Sequence, residues 1–267
     1  MIEFRSAPAR FADLRRPRGT ESPTGRRVLV TDACSEVGRA TAELLARRGA
    51  ELLLVDRCPE GLAALADTLV RAGGRASGMR CDIASLADID AVIAWVLGDV
   101  GSVDVLINNA CRPQRGPIAQ SLDRFRDYQA MMAVHYFGPL RLTLGLLPAM
   151  LSAGSGHVVN VGPWHPSAGP APNFASYASA QAAWTTFGLC ADAELSPHGI
   201  HVTAVHYPGA HIEPTDAEPF PVTAARWIET ALHTRPARVE PCATRTPRGL
   251  TDAAPRSATH LAHDFRI

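Results

Sequence analysis

The chain has 267 residues, 46% of them apolar, and carries 26 acidic and 26 basic side chains. That length and apolar share suffice for one substantial α/β core, and a formal charge of zero excludes a bulk field that would recruit nucleic acid or an anionic membrane. All basic residues are arginine, so Schiff-base chemistry and lysine-assisted proton transfer are closed to this chain.

The elements are legible in chain order. Met1 to Gly25 is a basic, Pro-rich extension around Arg15-Arg16-Pro17-Arg18; it lacks an apolar core, so no secretory signal is expected. Arg27 to Asp56 reads as strand, turn, amphipathic helix and strand. Val28 to Val30 suit a buried parallel strand, and Val37, Ala40, Leu44 and Leu45 recur at helical spacing until Gly49. Glu60 to Arg71 is a helix ended by Gly73-Gly74, Arg75 to Asp82 the third strand, Leu86 to Leu97 a helix, and Val103 to Ile107 the fourth strand. Leu122 to Leu151 is predicted as one long helix bent at Pro139. His157 to Val161, Asn173 to Leu195 and Ile200 to His206 follow as strand, long helix and strand. Val222 to His233 is a last helix, Arg238 to Glu240 an edge strand, and Cys242 to Ile267 a tail. This alternation predicts a single α/β domain over residues 26–240 with a doubly wound parallel sheet, whose ligands bind at the carboxyl ends of the strands.

Six cysteines (Cys34, Cys58, Cys81, Cys111, Cys190 and Cys242) are scattered without Cys-x-x-Cys pairs or zinc-like His spacing, which points to reduced thiols, a cytoplasmic protein and no metal. No run of about 18 apolar residues is present to cross a bilayer.

The landmarks in combination are Thr31 to Gly38 at the first turn, Asp56 after strand two, Asp82-Ile83 after strand three, and Asn108-Asn109-Ala110 after strand four. Val159-Asn160-Val161 on strand five, Tyr177 in Tyr-Ala-Ser-Ala-Gln, and Pro208-Gly209 after strand six complete the set. Together they resemble the short-chain dehydrogenase/reductase (SDR) family over about residues 26–240. The resemblance implies a Rossmann-like fold with Thr31, Gly38, Asp56, Asp82, Ile83, Asn109 and Ala110 around an NAD or NADP site. Asp56 corresponds to a ribose-binding carboxylate, with Arg57 beside it able to attract a 2′-phosphate.

The resemblance also exposes departures. The family turn Thr-Gly-x-x-x-Gly-x-Gly keeps only Thr31 and Gly38; Asp32 and Glu36 stand in place of its first two glycines. A like-charge contact at about 4 Å with an effective dielectric near 20 costs on the order of 4 kcal/mol, enough to weaken diphosphate binding about a thousandfold. In the family's Asn-Ser-Tyr-Lys proton relay, Tyr177 remains, but the lysine position is Gln181, the asparagine position His135, and the serine falls at Gly162 or Pro163, with Ser167 and Ser176 as substitutes only after rearrangement. Without a nearby cation a tyrosine is a poor base at neutral pH.

These departures lead to the expectation that nicotinamide-dependent hydride transfer is lost and that no cofactor is bound. The expected role is non-redox. In one form the chain is a degenerate subunit in a homo- or hetero-oligomer with an active SDR, joined through the two long helices. In the other it is a cofactor-free cyclase, dehydratase or isomerase in which His135 and Tyr177 exchange protons with a small molecule, with Trp164, His165, His206 and His211 around the same crevice. The alternative is a functioning NAD(P)-dependent oxidoreductase acting on a carbonyl or alcohol.

Overall fold

The computed structural model describes residues 22–162, 172–206 and 220–239. Seven parallel strands form one sheet in the order β3-β2-β1-β4-β5-β6-β7. They are β1 (Arg27–Thr31), β2 (Glu51–Asp56), β3 (Arg75–Arg80), β4 (Val105–Asn108), β5 (Gly156–Gly162), β6 (Ile200–His206) and β7 (Arg238–Val239). Side chains alternate along each strand, so Val28, Val30, Leu52 and Leu54 enter one core while Leu29, Leu53, Leu106 and Val158 enter the other. Both faces are buried, which is why these strands read as unbroken apolar runs.

On the first face lie α1 (Glu36–Arg47), α2 (Pro59–Arg71) and α7 (Phe220–Thr234), through Leu45, Leu65 and Ile228. On the second lie α3 (Leu86–Trp95), α5 (Gly138–Ala153) and α6 (Ala175–Leu195), through Ile89, Leu142 and Ala191. Ser35 caps α1 by accepting from the Gly38 N–H at 3.1 Å. The strand order reverses between β1 and β4, and the crevice at their carboxyl ends is where such sheets bind ligands. Gly38 keeps that crevice in shape, because a Cβ there would overlap the Asp32 carbonyl oxygen and lie 2.9 Å from Ala33 Cα.

The long helix predicted over Leu122 to Leu151 starts at Phe125 and runs on through α4 (Phe125–Met132), a π-helical turn at Ala133–Phe137, and α5 without a gap in helical backbone. Pro139 follows directly on that π turn, where the regular hydrogen-bond ladder is already interrupted. The irregularity precedes it, where Gly138 packs so closely on the Ile83 carbonyl that no Cβ fits. That π turn carries His135, an arrangement common where a helix presents a functional residue. Smaller differences lie at element ends: β3 stops at Arg80, and the second long helix starts at Ala175. Most of the predicted N-terminal extension, Glu240 and the tail from Cys242 fall outside the described residues. No helix among the described residues is long and apolar enough to cross a membrane.

Candidate active site

Two clefts meet at the carboxyl ends of β1 and β4. The first is bordered by Thr31, Asp32, Asp56, Arg57, Ile83 and Ala110. Asp56, at the end of β2, accepts the Cys34 N–H and the Cys58 N–H, each at 3.0 Å, and so ties the first turn to the start of α2. Asn109 staples the same turn from β4: its backbone N–H reaches Thr31 Oγ1 at 3.0 Å and its amide donates to the carbonyls of Thr31 and Asp32. Asp82 is placed differently from Ile83. Its carboxylate accepts from the Ala84 N–H at 3.1 Å and shapes the entry to α3, whereas Ile83 borders the cleft.

The two acids of the first turn behave differently. Glu36 is exposed on the first turn of α1, where a negative charge favours the helix N-terminus. Asp32 adopts a left-handed backbone with φ of +52°, which glycine would take without cost, and its carboxylate lies 4.0 Å from the Arg112 guanidinium. Burial, then the neighbouring Asp56, raise its pKa above the ordinary carboxylate value, while Arg112 and Arg57 pull it back. Next to it, burial and Asp56 push the Cys34 thiol up to about 11, so it stays protonated.

The second cleft is bordered by Asn108, Ala110, His135, Val161, Gln181 and Trp184. Here the three predicted catalytic residues come together. Tyr177 and Gln181 sit one turn apart on α6, on the same face. Gln181 Nε2 donates to Tyr177 Oη at 3.3 Å and lies 3.4 Å from His135 Nδ1. The His135 ring meets the Tyr177 ring edge-on, 5.0 Å between centroids, and its Nε2 is 3.1 Å from the Arg112 carbonyl oxygen. Burial lowers the His135 pKa, so the imidazole is neutral at pH 7. Gly162 packs against the same amide: a Cβ there would come within 3.3 Å of Gln181 Oε1.

Sequence reasoning missed Cys111, whose Sγ is 3.4 Å from Tyr177 Oη, and Arg112, which touches both the Asp32 carboxylate and His135. Their position directly after Asn108-Asn109-Ala110, at the end of a strand that borders the crevice, was the available signal. His206 pairs in register with Gly162 at the adjoining strand end. Ser176 is half-buried at the start of α6. Pro163, Trp164, His165, Ser167, Pro208, Gly209 and His211 lie outside the described residues. Among the described residues no group of three His, Cys, Asp or Glu side chains could hold a metal.

The profile of the family described as short chain dehydrogenase matches residues 26–217, and the chain belongs to that family, the short-chain dehydrogenases/reductases. It is 36% identical over 241 residues to a fatty acyl-CoA reductase of Mycobacterium tuberculosis, covering 87% of this chain and 82% of that protein. A fatty acyl-CoA reductase of Acinetobacter baylyi is 34% identical over 227 residues, covering 82% and 77%. Among solved structures, a metagenomic short-chain oxidoreductase in complex with NADP superposes with a TM-score of 0.72 at 28% identity, covering 83% of this chain and 99% of that one.

These relatives overturn the expectation of a redox-inactive, degenerate subunit or cofactor-free enzyme: they are named as reductases, and a structural neighbour holds NADP. The expectation overweighted two side chains. Glu36 points into solvent and Asp32 is partly compensated by Arg112, so the diphosphate seat is less hostile than the bare sequence suggests.

Proposed function

We propose that this protein is an NAD(P)-dependent oxidoreductase that reduces the carbonyl of an apolar acyl substrate, with Tyr177 as proton donor. The observation that carries this reading is that the two clefts share Thr31 and Ala110 on their borders: Asp56 and Ile83 line one, and Gln181, which donates to the Tyr177 hydroxyl, lines the other. The residues fit a dinucleotide at its adenosine end, where Asp56 is already anchored and retains lone pairs for a ribose diol. At the diphosphate end the Asp32–Arg112 pair leaves the seat only partly neutralised.

A bound nicotinamide nucleotide supplies the hydride. The protein's share is the proton: Tyr177 Oη gives its hydrogen to the carbonyl oxygen, and Gln181 donates to the phenolate that forms. Reduction asks for a protonated phenol, and an unperturbed phenol is protonated at neutral pH. A neutral amide at position 181 therefore hinders reduction less than it hinders alcohol oxidation, which needs the phenolate. Met131, Ala180, Cys111, Met132 and Phe174 pack around the Tyr177 ring, and the apolar acyl class is taken from the relatives, which are named as fatty acyl-CoA reductases.

The direct test is calorimetric titration with NADH and NADPH, followed by nucleotide oxidation with a long-chain aldehyde and the corresponding acyl-CoA. Binding of one nucleotide and turnover of either substrate are expected. No binding and no turnover at millimolar nucleotide would end the reading.

We also propose that copies of this chain, or this chain and another SDR, pair through α5 and α6, where Leu144, Leu151 and Leu189 are at least 41% exposed apolar side chains. Leu144→Glu combined with Leu189→Glu should convert the oligomer to monomer in light scattering; an unchanged mass would sink this.

A further inference from the structure

Among the buried groups, one polar chain has an order of donors that is settled by its far end. The Arg112 carbonyl can only accept, so His135 Nε2, 3.1 Å away, must carry the ring hydrogen. The neutral imidazole then presents a lone pair at Nδ1, 3.4 Å from the side-chain amide of Gln181. Only the NH2 end of that amide can face a lone pair; the carbonyl end would set two acceptors against each other. One N–H of Gln181 is thereby spent on His135, and the other is aimed at Tyr177 Oη at 3.3 Å. All three side chains are at least 96% buried, so water offers little alternative pairing.

We infer that His135 is a positioning residue for the reduction: by accepting from Gln181 it locks the amide so that an N–H, and not the carbonyl, is presented to the oxygen of Tyr177. The inference rests on the reductase reading above and deepens it. The phenol oxygen, holding a donated bond from inside, turns its own hydrogen outward toward a carbonyl or toward Cys111 Sγ at 3.4 Å. The same bond stabilises the negative charge that collects on that oxygen as the proton leaves. A neutral histidine and amide, placed 46 residues apart in the chain, thus take over in part the electrostatic task of a charged side chain. Gly162 lies beside this arrangement, where an added Cβ would meet the amide oxygen at 3.3 Å.

The titratable and charged groups facing this chain are Cys111 beside the phenol, Arg112 behind the imidazole, and Asp32 beyond Arg112. Substitutions that keep ring volume separate positioning from packing. His135→Phe retains the edge-on ring contact but removes the acceptor; Gln181→Leu retains bulk but removes the donor; His135→Asn restores a side-chain carbonyl as acceptor; Gln181→Lys keeps an N–H donor and adds charge. Two readouts are taken on the full chain: kcat and KM with saturating NAD(P)H, and the midpoint of Tyr177 ionisation by ultraviolet difference spectroscopy against Tyr177→Phe.

In both His135→Phe and Gln181→Leu the midpoint should rise by about one pH unit and kcat fall about tenfold with KM nearly unchanged. His135→Asn should recover part of both, and Gln181→Lys should lower the midpoint. A midpoint in His135→Phe equal to that of the wild-type protein, with Gln181→Leu shifted, would overturn the role given to His135; midpoints unchanged from wild type in both variants would overturn the whole arrangement. The titration needs no turnover, so it decides the inference even if the reductase reading fails on its own assay.

Discussion

Replacing Tyr177 by phenylalanine should abolish measurable reduction, with kcat/KM falling on the order of a thousandfold while nucleotide affinity changes little. A positioned general acid contributes about 10² to 10⁴ in rate. In the proposed reading Tyr177 is that acid; its oxygen is bonded by Gln181 at 3.3 Å and lies 3.4 Å from Cys111 Sγ. The substitution removes one oxygen and keeps the ring, so the contacts with His135 at 5.0 Å and Phe174 at 6.5 Å persist and the fold should be spared. Steady-state nucleotide oxidation and calorimetry on the two proteins provide the check. If Tyr177→Phe turns over at the wild-type rate, the proton comes from another group and the assignment of the phenol falls.

The second large effect is expected at the first turn. Asp32→Gly should tighten NADH or NADPH binding about ten- to a hundredfold, whereas Glu36→Gly should change it little. Two physical terms act at position 32. The left-handed backbone at φ +52° costs a non-glycine residue about 1 kcal/mol, which glycine recovers as fold stability and not as affinity. If the proposed nucleotide seats its diphosphate on this turn, the carboxylate meets it; a like-charge contact costs up to about 4 kcal/mol at an effective dielectric near 20, of which the arginine at 4.0 Å returns a part.

The pH dependence has a definite sign. Because burial and Asp56 raise the Asp32 pKa, the folded chain holds this proton more firmly than the unfolded chain does, and the group's stabilising contribution is lost as pH rises through the raised value. Nucleotide affinity of the wild-type protein should accordingly improve as pH falls into that range, while Asp32→Gly shows a flatter profile. Equal affinities for the two proteins at neutral pH would show that the acid already lies clear of the ligand.

Much of the architecture was legible along the chain because it rests on local periodicity. Strands buried on both faces must be continuously apolar, and Leu52–Leu54 and Val105–Ile107 are. Helices covering a sheet must repeat their apolar residues about every three to four positions, and Leu62, Leu65 and Leu69 do. The residues of the crevice were legible for a related reason: in a doubly wound sheet the strand ends converge, so Thr31, Asp56, Ala110 and Gly162 had to lie near one another once the strand order was known. What misled the reading was weight, not location. A carboxylate in a glycine's place looks prohibitive until its partner is seen, and Arg112 is 80 positions away from Asp32 in sequence.

By itself, then, the order of residues settled the doubly wound fold and the family, and set Tyr177 and the neutral Gln181 one helical turn apart. Side-chain partners were decided only by the folded chain: the π turn before Gly138, which closely approaches Ile83; the exposure of Glu36; the pairing of Asp32 with Arg112; and the file from Arg112 through His135 and Gln181 to Tyr177. Periodicity is a property of neighbours along the backbone, whereas charge compensation and hydrogen-bond direction depend on atoms within a few ångströms of each other in space. Those atoms come from segments that only the closing of the sheet brings together.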